Sequence, residues 1–124
     1  MNSLSFQRRP IGNTACSISP VAMGCWPIAG QTGSKVNQAD AIATLHQACF
    51  ALGINHLDTG FGYGLDGESE GVVGTAVFGY RDEMMIATKG GIRTEADGSK
   101  RLDARRWRLY RGLVLQRALR QGTG

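Results

Sequence analysis

Three short apolar runs, which begin about thirty residues apart, constrain the fold of this chain more than any other feature. They start at Val21, Ile54 and Met84, and helical patterns occupy the intervals between them. Alternation of strands and helices at this spacing predicts an α/β fold with a parallel sheet and right-handed crossovers. The spacing leaves open whether the sheet is an open doubly wound one or a barrel. No G-x-G-x-x-G stands between a strand and a helix, which counts against a dinucleotide-binding doubly wound domain.

A hairpin is predicted ahead of these runs, over residues 4–19. Its two arms alternate apolar and polar residues, and the turn formers Pro10, Gly12 and Asn13 lie between them. The 124 residues amount to one domain or part of one. We therefore interpret residues 1–124 as a single partial domain, in which the hairpin is followed by βα units at about 21–53, 54–80 and 84–121.

The best helical pattern covers residues 38–52. Asn37 is a good N-cap, and Gly53 is placed for a left-handed C-cap. A core-facing stripe follows helical spacing: Ile42, Leu45, Cys49 and Leu52. His46 falls on the polar face, where a solvated histidine is expected.

A second, shorter helix is predicted to open at Ser69. It contains Gly71 and Gly74, each of which costs a helix about 1 kcal/mol relative to alanine, so we expect close packing to require them. Residues 92–101 are polar and predict a loop. An amphipathic helix is predicted over 103–120.

The net charge of +4 is unevenly distributed along the chain. Residues 1–99 hold six basic against nine acidic side chains, and residues 100–124 hold eight against one. A basic segment of this kind can bind nucleic acid, but the solvated face of a helix or a frameshifted terminus is the favoured explanation, and nucleic acid is not the expected partner. No apolar run reaches 18 residues, no secretory signal is evident, and the three cysteines lack metal-type spacing. A cytoplasmic protein without a bound metal is expected.

Three ionisable residues stand at or just beyond the ends of the second and third runs. Asp58 ends the second run, Tyr63 follows it by five positions in a glycine-rich loop, and Lys89 ends the third. The carboxyl ends of parallel strands share one edge, so these groups are expected to converge. A positive charge beside a phenol eases the loss of its proton, and a carboxylate beside a lysine keeps the lysine charged.

With these residues in place, the sequence resembles the N-terminal part of an aldo-keto reductase. The resemblance covers roughly residues 6–104 and rests on an ordered set of short segments: Met23-Gly24-Cys25-Trp26, Asp58-Thr59-Gly60, Tyr63-Gly64, Ser69-Glu70, Gly74 and Ala87-Thr88-Lys89-Gly90. It implies a (β/α)8 barrel whose N-terminal end is closed by a hairpin. It also implies reduction of an aldehyde or ketone by NADPH, or the reverse oxidation of an alcohol.

The resemblance also implies roles for individual residues. Tyr63 would be the general acid, Lys89 would assist it, and Asp58 would pair with that lysine. The nicotinamide cofactor would bind near the ends of the first two strands, at Gly24, Cys25, Trp26 and Asp58. Cys25 stands where many members of the family have threonine. The resemblance therefore does not imply a polar side-chain contact at this position.

Two features depart from the family pattern. Its catalytic histidine follows the fourth strand, whereas His46 and His56 precede the third run. A whole barrel takes about 200–250 residues, and the main phosphate- and adenine-binding segments of the family lie near its last strands. We therefore expect a barrel fragment that stops before the fourth strand, with little or no turnover. The alternatives are a non-catalytic binding or regulatory module and a truncated gene product, and self-association through an open sheet edge is possible in either case.

Overall fold

The computed structural model describes residues 6–30 and 35–103. Its first two strands form an antiparallel hairpin, in which β1 (Arg9–Pro10) pairs with β2 (Ser17–Ile18). Within the hairpin predicted over residues 4–19, the first arm pairs through Arg9 and Pro10. Pro10 belongs to the strand and not to the turn, which residues 11–16 form instead, because Ile11 N donates to Cys16 O over 3.0 Å. A two-stranded edge tolerates proline, since its missing N–H faces away from the partner.

A parallel sheet of three strands forms the centre of the described fold. Its order is β3 (Met23–Gly24), β4 (His56–Asp58) and β5 (Met85–Ala87), with β4 in the middle. The predicted α/β class with a parallel sheet is confirmed. The apolar run that starts at Val21 would suit a strand buried on both faces, but it forms a pairing of only two residues, and Val21 and Trp26 on either side of it are 49% and 48% exposed.

Helix α1 (Gln38–His46) begins at the predicted cap, where the Asn37 side chain accepts from Asp40 N over 2.8 Å. A π-helical turn, Gln47–Ala51, continues it, and Gly53 ends the element with φ 74°, as predicted. The wider π turn moves the following residues off the helical stripe. Leu45, which precedes the turn, is buried as predicted, whereas Leu52, which follows it, is 37% exposed.

Helix α2 (Glu68–Ala76) packs against α1 and contributes buried residues from one face. The expectation that close packing requires its two glycines is wrong. A Cβ built on Gly71 or on Gly74 would meet nothing within 4 Å. The core lies between the sheet and the two helices, and its fully or nearly fully buried members include Cys25, Leu45, Leu57, Val73, Val77 and Ile86.

A second antiparallel hairpin, which the sequence did not predict, follows the third parallel strand. Strand β6 (Gly91–Thr94) pairs with β7 (Lys100–Asp103), so the predicted loop over 92–101 is wrong. The turn closes where Glu95 N donates to Ser99 O over 2.9 Å. Four residue pairs form the ladder of this hairpin, and an ion pair crosses it, between Arg93 and Asp103 at 3.7 Å.

Two earlier predictions fall wholly or partly outside the described residues. The amphipathic helix over 103–120 is one of them, apart from Asp103, which belongs to β7. The first two residues of the hairpin at 4–19 are the other. Within 6–30 and 35–103, no helix has the length and apolar character needed to cross a membrane.

Candidate functional site

The candidate site lies at the edge where the three parallel strands end. Beyond β4 the chain stays bonded to β5, because Thr59 N donates to Ala87 O over 2.8 Å and Phe61 N donates to Lys89 O over 3.0 Å. These bonds bring Lys89 alongside the loop that follows Asp58. The predicted convergence at one sheet edge is therefore present in the structure.

Lys89 contacts both of the other residues that the sequence singled out, Asp58 and Tyr63. Its Nζ donates to Asp58 Oδ1 over 2.6 Å and to Thr59 O over 2.9 Å, and lies 4.9 Å from the centroid of the Tyr63 ring. Partial burial by itself lowers the pKa of Lys89, but hydrogen bonds to Asp58 and Tyr63 outweigh it and raise the pKa above 10.5. The lysine is therefore positively charged at neutral pH, beside the phenol.

The loop that carries Tyr63 depends on two glycines for its shape. Gly64 has φ 84°, and a Cβ there would lie 2.6 Å from Glu68 Cβ. A Cβ on Gly62 would lie 3.1 Å from Ile92 O, so the loop passes close to the second hairpin. Ser69 N donates to Tyr63 O over 3.1 Å, which ties this loop to the first turn of α2.

Sequence reasoning missed a buried network of hydroxyl groups beneath the site. Ser69 Oγ donates to Cys25 O over 2.6 Å and lies 2.8 Å from Thr59 Oγ1. Both hydroxyl-bearing residues are nearly fully buried. The network joins the end of β3, the end of β4 and the start of α2, so it holds three elements of the site in fixed relation. Serine and threonine have no periodic pattern that would have revealed it.

The glutamate that follows Ser69 makes a further link across the site. Thr88 Oγ1 donates to Glu70 Oε1 over 2.5 Å. Thr88 immediately precedes Lys89, so the start of α2 is bonded to the end of β5 as well as to the end of β3.

A cleft of about 390 Å³ opens above Lys89. Aromatic, aliphatic and cationic side chains line it together with backbone of the glycine-rich loops: Trp26, Gly60, Gly62, Tyr63, Lys89, Gly90, Ile92 and Lys100. Of the predicted cofactor-binding residues, Trp26 lies in this lining, and Asp58 lies against Lys89. Gly24 and Cys25 are not among the residues that line the cleft.

Cys25 faces the core and not the cleft. Its side chain is fully buried, and Sγ donates to Met23 O over 3.4 Å. Burial, followed by the negative charge of Asp58, raises the pKa of this thiol to about 12. The thiol therefore stays protonated at neutral pH and acts as a core group, although its backbone N–H reaches Asp58 O over 2.8 Å.

Neither histidine of the sequence reaches the cleft. His56 begins β4, at the opposite end of that strand from Asp58, and pairs with Met85. His46 is exposed on α1, as predicted, but it also makes contacts. Its Nε2 lies 2.9 Å from Ala76 O, and its ring packs on Phe50 at 5.3 Å between centroids, so it links α1 to the end of α2.

Comparison with known proteins gives a consistent result. A model of the aldo/keto reductase family matches residues 20–109. The chain is 38% identical over 94 residues to a 6-dehydroglucose reductase of Novosphingobium aromaticivorans, an alignment that covers 68% of this chain and 29% of the relative. It is 34% identical over 93 residues to an NADH-specific methylglyoxal reductase of Escherichia coli, which covers 73% of this chain and 28% of the relative.

Solved structures agree with this result. A protein of Pseudomonas aeruginosa assigned to the aldo-keto reductases superposes with a TM-score of 0.68 at 27% identity, over 90% of this chain and 40% of that one. The holo form of an aldo-keto reductase of Bacillus halodurans gives 0.68 at 26% identity, over 86% and 33%. The chain spans less than a third of the length of the curated relatives named above.

Proposed function

Because the chain belongs to the aldo-keto reductase family, we propose that its cleft is part of an oxidoreductase site that reduces an aldehyde or ketone to an alcohol with NADPH. The observation that carries the proposal is the arrangement of Asp58, Lys89 and Tyr63 at one sheet edge. A charged lysine held 2.6 Å from a carboxylate and 4.9 Å from a phenol ring is suited to proton transfer.

In this proposal Tyr63 protonates the carbonyl oxygen as the carbonyl is reduced. Lys89 stabilises the negative charge that remains on the phenol oxygen, and Asp58 keeps Lys89 protonated and oriented. A reduced nicotinamide held beside Trp26 would supply the hydride for the carbonyl carbon. One hydride and one proton together convert the carbonyl to an alcohol, and the cofactor is oxidised.

The lining of the cleft fits part of a nicotinamide cofactor. Trp26 is about half exposed and offers an aromatic face on the cleft, and we assign to it the contact with the nicotinamide. Gly24 is exposed at the end of β3, and a Cβ there would meet nothing within 4 Å, so its contribution to binding would be made through the backbone. Whether NADPH or NADH is preferred is tested by assaying both, since the name of the E. coli relative specifies NADH.

We further propose that the described elements correspond to the first part of a (β/α)8 barrel and that these 124 residues alone have little or no turnover. The similarity to solved reductases over 90% of the chain supports the first point. The positions of His46 and His56 away from the cleft support the second, because the family reaction uses a histidine there. A small carbonyl compound or alcohol is the expected ligand, and self-association through a sheet edge stays a prediction.

The proposal is tested in two proteins. The first is the 124-residue chain, assayed with NADPH and NADH against a panel of aldehydes, where we expect turnover near background.

The second is a chimaera in which residues 20–109 replace the matching segment of the N. aromaticivorans reductase. We expect the chimaera to reduce an aldehyde. A folded chimaera that binds NADPH but has no activity would contradict the proposed site, and would favour the binding or regulatory module. Robust turnover by the 124-residue chain would contradict the proposal that these residues alone have little or no activity.

A further inference from the structure

We propose that Glu70 is a positioning residue for the proposed reduction. Through its bond to Thr88 it holds the backbone that carries Lys89, and so it sets where the lysine ammonium group lies. The inference rests on the proposed carbonyl-reducing function of the cleft, and it adds a residue that does not itself line the cleft.

The ammonium group of Lys89 must be placed accurately to serve both of its neighbours. Its Nζ lies 2.6 Å from Asp58 Oδ1 and 4.9 Å from the centroid of the Tyr63 ring. A lysine has a flexible four-carbon stem, and this side chain is half exposed, so packing restrains it only in part. The position of the ammonium group therefore depends on the backbone from which the side chain starts.

That backbone is held from two layers of the fold. Main-chain bonds to the loop after β4 hold the carbonyl groups of Ala87 and Lys89, the residues on either side of Thr88. The Thr88 hydroxyl donates to the helix layer instead, to Glu70 Oε1 over 2.5 Å. Glu70 therefore holds the end of β5 from the helix side, between the two bonds that hold it from the sheet side.

The carboxylate of Glu70 is itself held by the start of its helix. A Cβ built on Gly67, the N-cap of α2, would lie 3.1 Å from Glu70 Oε2, so the second carboxylate oxygen lies against the helix N-terminus. Negative charge is favoured there because the N–H groups at a helix start give that end a partial positive charge. The Thr88 hydroxyl is thus bonded to an oriented carboxylate, and such a bond is stronger than one between neutral groups.

The residue before Glu70 holds the other side of the lysine contact. Lys89 Nζ also donates to Thr59 O over 2.9 Å, and the Thr59 hydroxyl lies 2.8 Å from Ser69 Oγ. Consecutive residues of α2 thus hold both segments that the lysine joins: Ser69 holds the end of β4, and Glu70 holds the end of β5. One helical turn therefore sets the distance between the lysine and its acceptors.

The first test removes the Glu70 bond without changing any charge. Thr88→Val loses the hydroxyl and keeps nearly the same shape, and Thr75→Val makes the same change on the exposed side of α2. The readout is the pKa of Lys89, measured by NMR titration in the 124-residue chain. Burial lowers this pKa, and the hydrogen bonds of the ammonium group outweigh burial and raise it. Thr88→Val should therefore lower the pKa, and Thr75→Val should not; an unchanged pKa in Thr88→Val would overturn the inference.

Variants of Glu70 separate its position from its charge. Glu70→Gln keeps an oxygen that can accept from Thr88, so the pKa of Lys89 should stay near the native value. Glu70→Leu removes the acceptor and should lower the pKa as Thr88→Val does, and Thr88→Ser should restore it. A fall in Glu70→Gln as large as that in Glu70→Leu would overturn the inference, because Glu70 would then act on the lysine as a charge through space. The two Thr88 variants decide the question even if Glu70→Leu does not fold.

In the chimaera the same bond should affect the chemical step and not cofactor binding. We expect Thr88→Val to slow the single-turnover reduction of an aldehyde about 10-fold, because a small displacement of a group that assists proton transfer is costly. NADPH binding should be retained, and Thr75→Val should match the native chimaera. A native rate in Thr88→Val, or a loss confined to NADPH binding, would contradict the positioning role.

Failure of this inference can be distinguished from failure of the proposed function. The pKa measurement needs no turnover, so a dependence of Lys89 on Thr88 would show that Glu70 positions the lysine even if the chimaera reduced nothing. A chimaera that loses activity in Tyr63→Phe and keeps it in Thr88→Val would retain the proposed function and overturn the role of Glu70.

Discussion

Lys89 and Asp58 are 31 residues apart in the chain, yet Lys89 Nζ lies 2.6 Å from Asp58 Oδ1. The pairing follows from the parallel register of β4 and β5, which places Asp58 beside Ala87 and thus near the end of the neighbouring strand. The side chains of Lys89 and Asp58 are 51% and 43% exposed, so the pair is open to solvent on one side. Its value to the protein therefore lies in the charge it keeps beside Tyr63 more than in stability.

The first prediction concerns Asp58→Asn. We expect this change to lower the pKa of Lys89, because the carboxylate that offsets burial is removed. The pKa is measured by NMR titration of the lysine side chain. Asp82→Asn, which removes a carboxylate from the 3₁₀ turn before β5, should leave it unchanged. An unaltered Lys89 pKa in Asp58→Asn would contradict the pairing.

The pair of Lys89 and Asp58 also makes the free energy of unfolding depend on pH. Because the pKa of Lys89 is raised in the folded state, the stabilisation is complete below pH 10.5 and is lost only as the pH rises through the raised value. Both groups are partly exposed, so the contribution is expected to be under about 1 kcal/mol.

The second prediction tests the buried hydroxyl network. Ser69→Ala removes the donor that Cys25 O receives over 2.6 Å in a buried setting, and should lower the free energy of unfolding by about 1–3 kcal/mol. Thr75→Ala is the control, since its hydroxyl bonds Gly71 O on the exposed side of the same helix and its loss should cost under about 0.5 kcal/mol. Urea denaturation measures both. Equal effects would mean that the network has no special role.

The third prediction contrasts two glycines. Gly71→Ala should stabilise the protein by about 0.5–1 kcal/mol, because the residue lies in a helix and its Cβ would meet nothing. Gly64→Ala should destabilise it by more than about 1 kcal/mol, because φ is 84° and the Cβ would meet Glu68. Thermal melting of the two variants and the native chain shows whether each substitution raises or lowers the melting temperature. Destabilisation by Gly71→Ala would restore the close-packing interpretation.

The fourth prediction is an alkaline loss of stability due to Cys25. The folded pKa of about 12 exceeds the ordinary value of 9.0, so the thiol is protonated only in the folded state between these values. Stability should therefore fall with rising pH in that window, by at most about 1.4 kcal/mol per pH unit from this group. Urea unfolding of the reduced protein should show a shallower fall in Cys25→Ala than in the native chain. Equal slopes in native and Cys25→Ala would contradict the burial of the thiol.

The parallel sheet and the edge of the site could be predicted from the sequence because apolar runs end at polar residues. Asp58 and Lys89 terminate such runs, and strands of one parallel sheet bring those ends together. The cap at Asn37 and the left-handed Gly53 were predictable for a similar reason, since their chemistry is local.

The elements that could not be predicted depend on contacts between distant parts of the chain. Strands β6 and β7 are polar and partly exposed, so no alternation of apolar residues marks them, and they are stabilised by contacts such as that of Arg93 with Asp103. The Ser69 network and the orientation of Cys25 into the core likewise depend on how α2 packs on the sheet ends. The position of Lys100 on the cleft follows from that unpredicted hairpin.

The central claim, that Tyr63 is the proton donor of a carbonyl-reducing site, is tested most directly by measuring kcat/KM for an aldehyde in the chimaera with Tyr63→Phe and with Tyr80→Phe. Tyr80 is partly exposed and packs on Phe50, with ring centroids 4.8 Å apart, so its loss should leave catalysis intact. We predict that Tyr63→Phe lowers kcat/KM by at least about 100-fold, the usual contribution of a general acid, while NADPH binding is retained. Activity in Tyr63→Phe equal to that in Tyr80→Phe would contradict the claim.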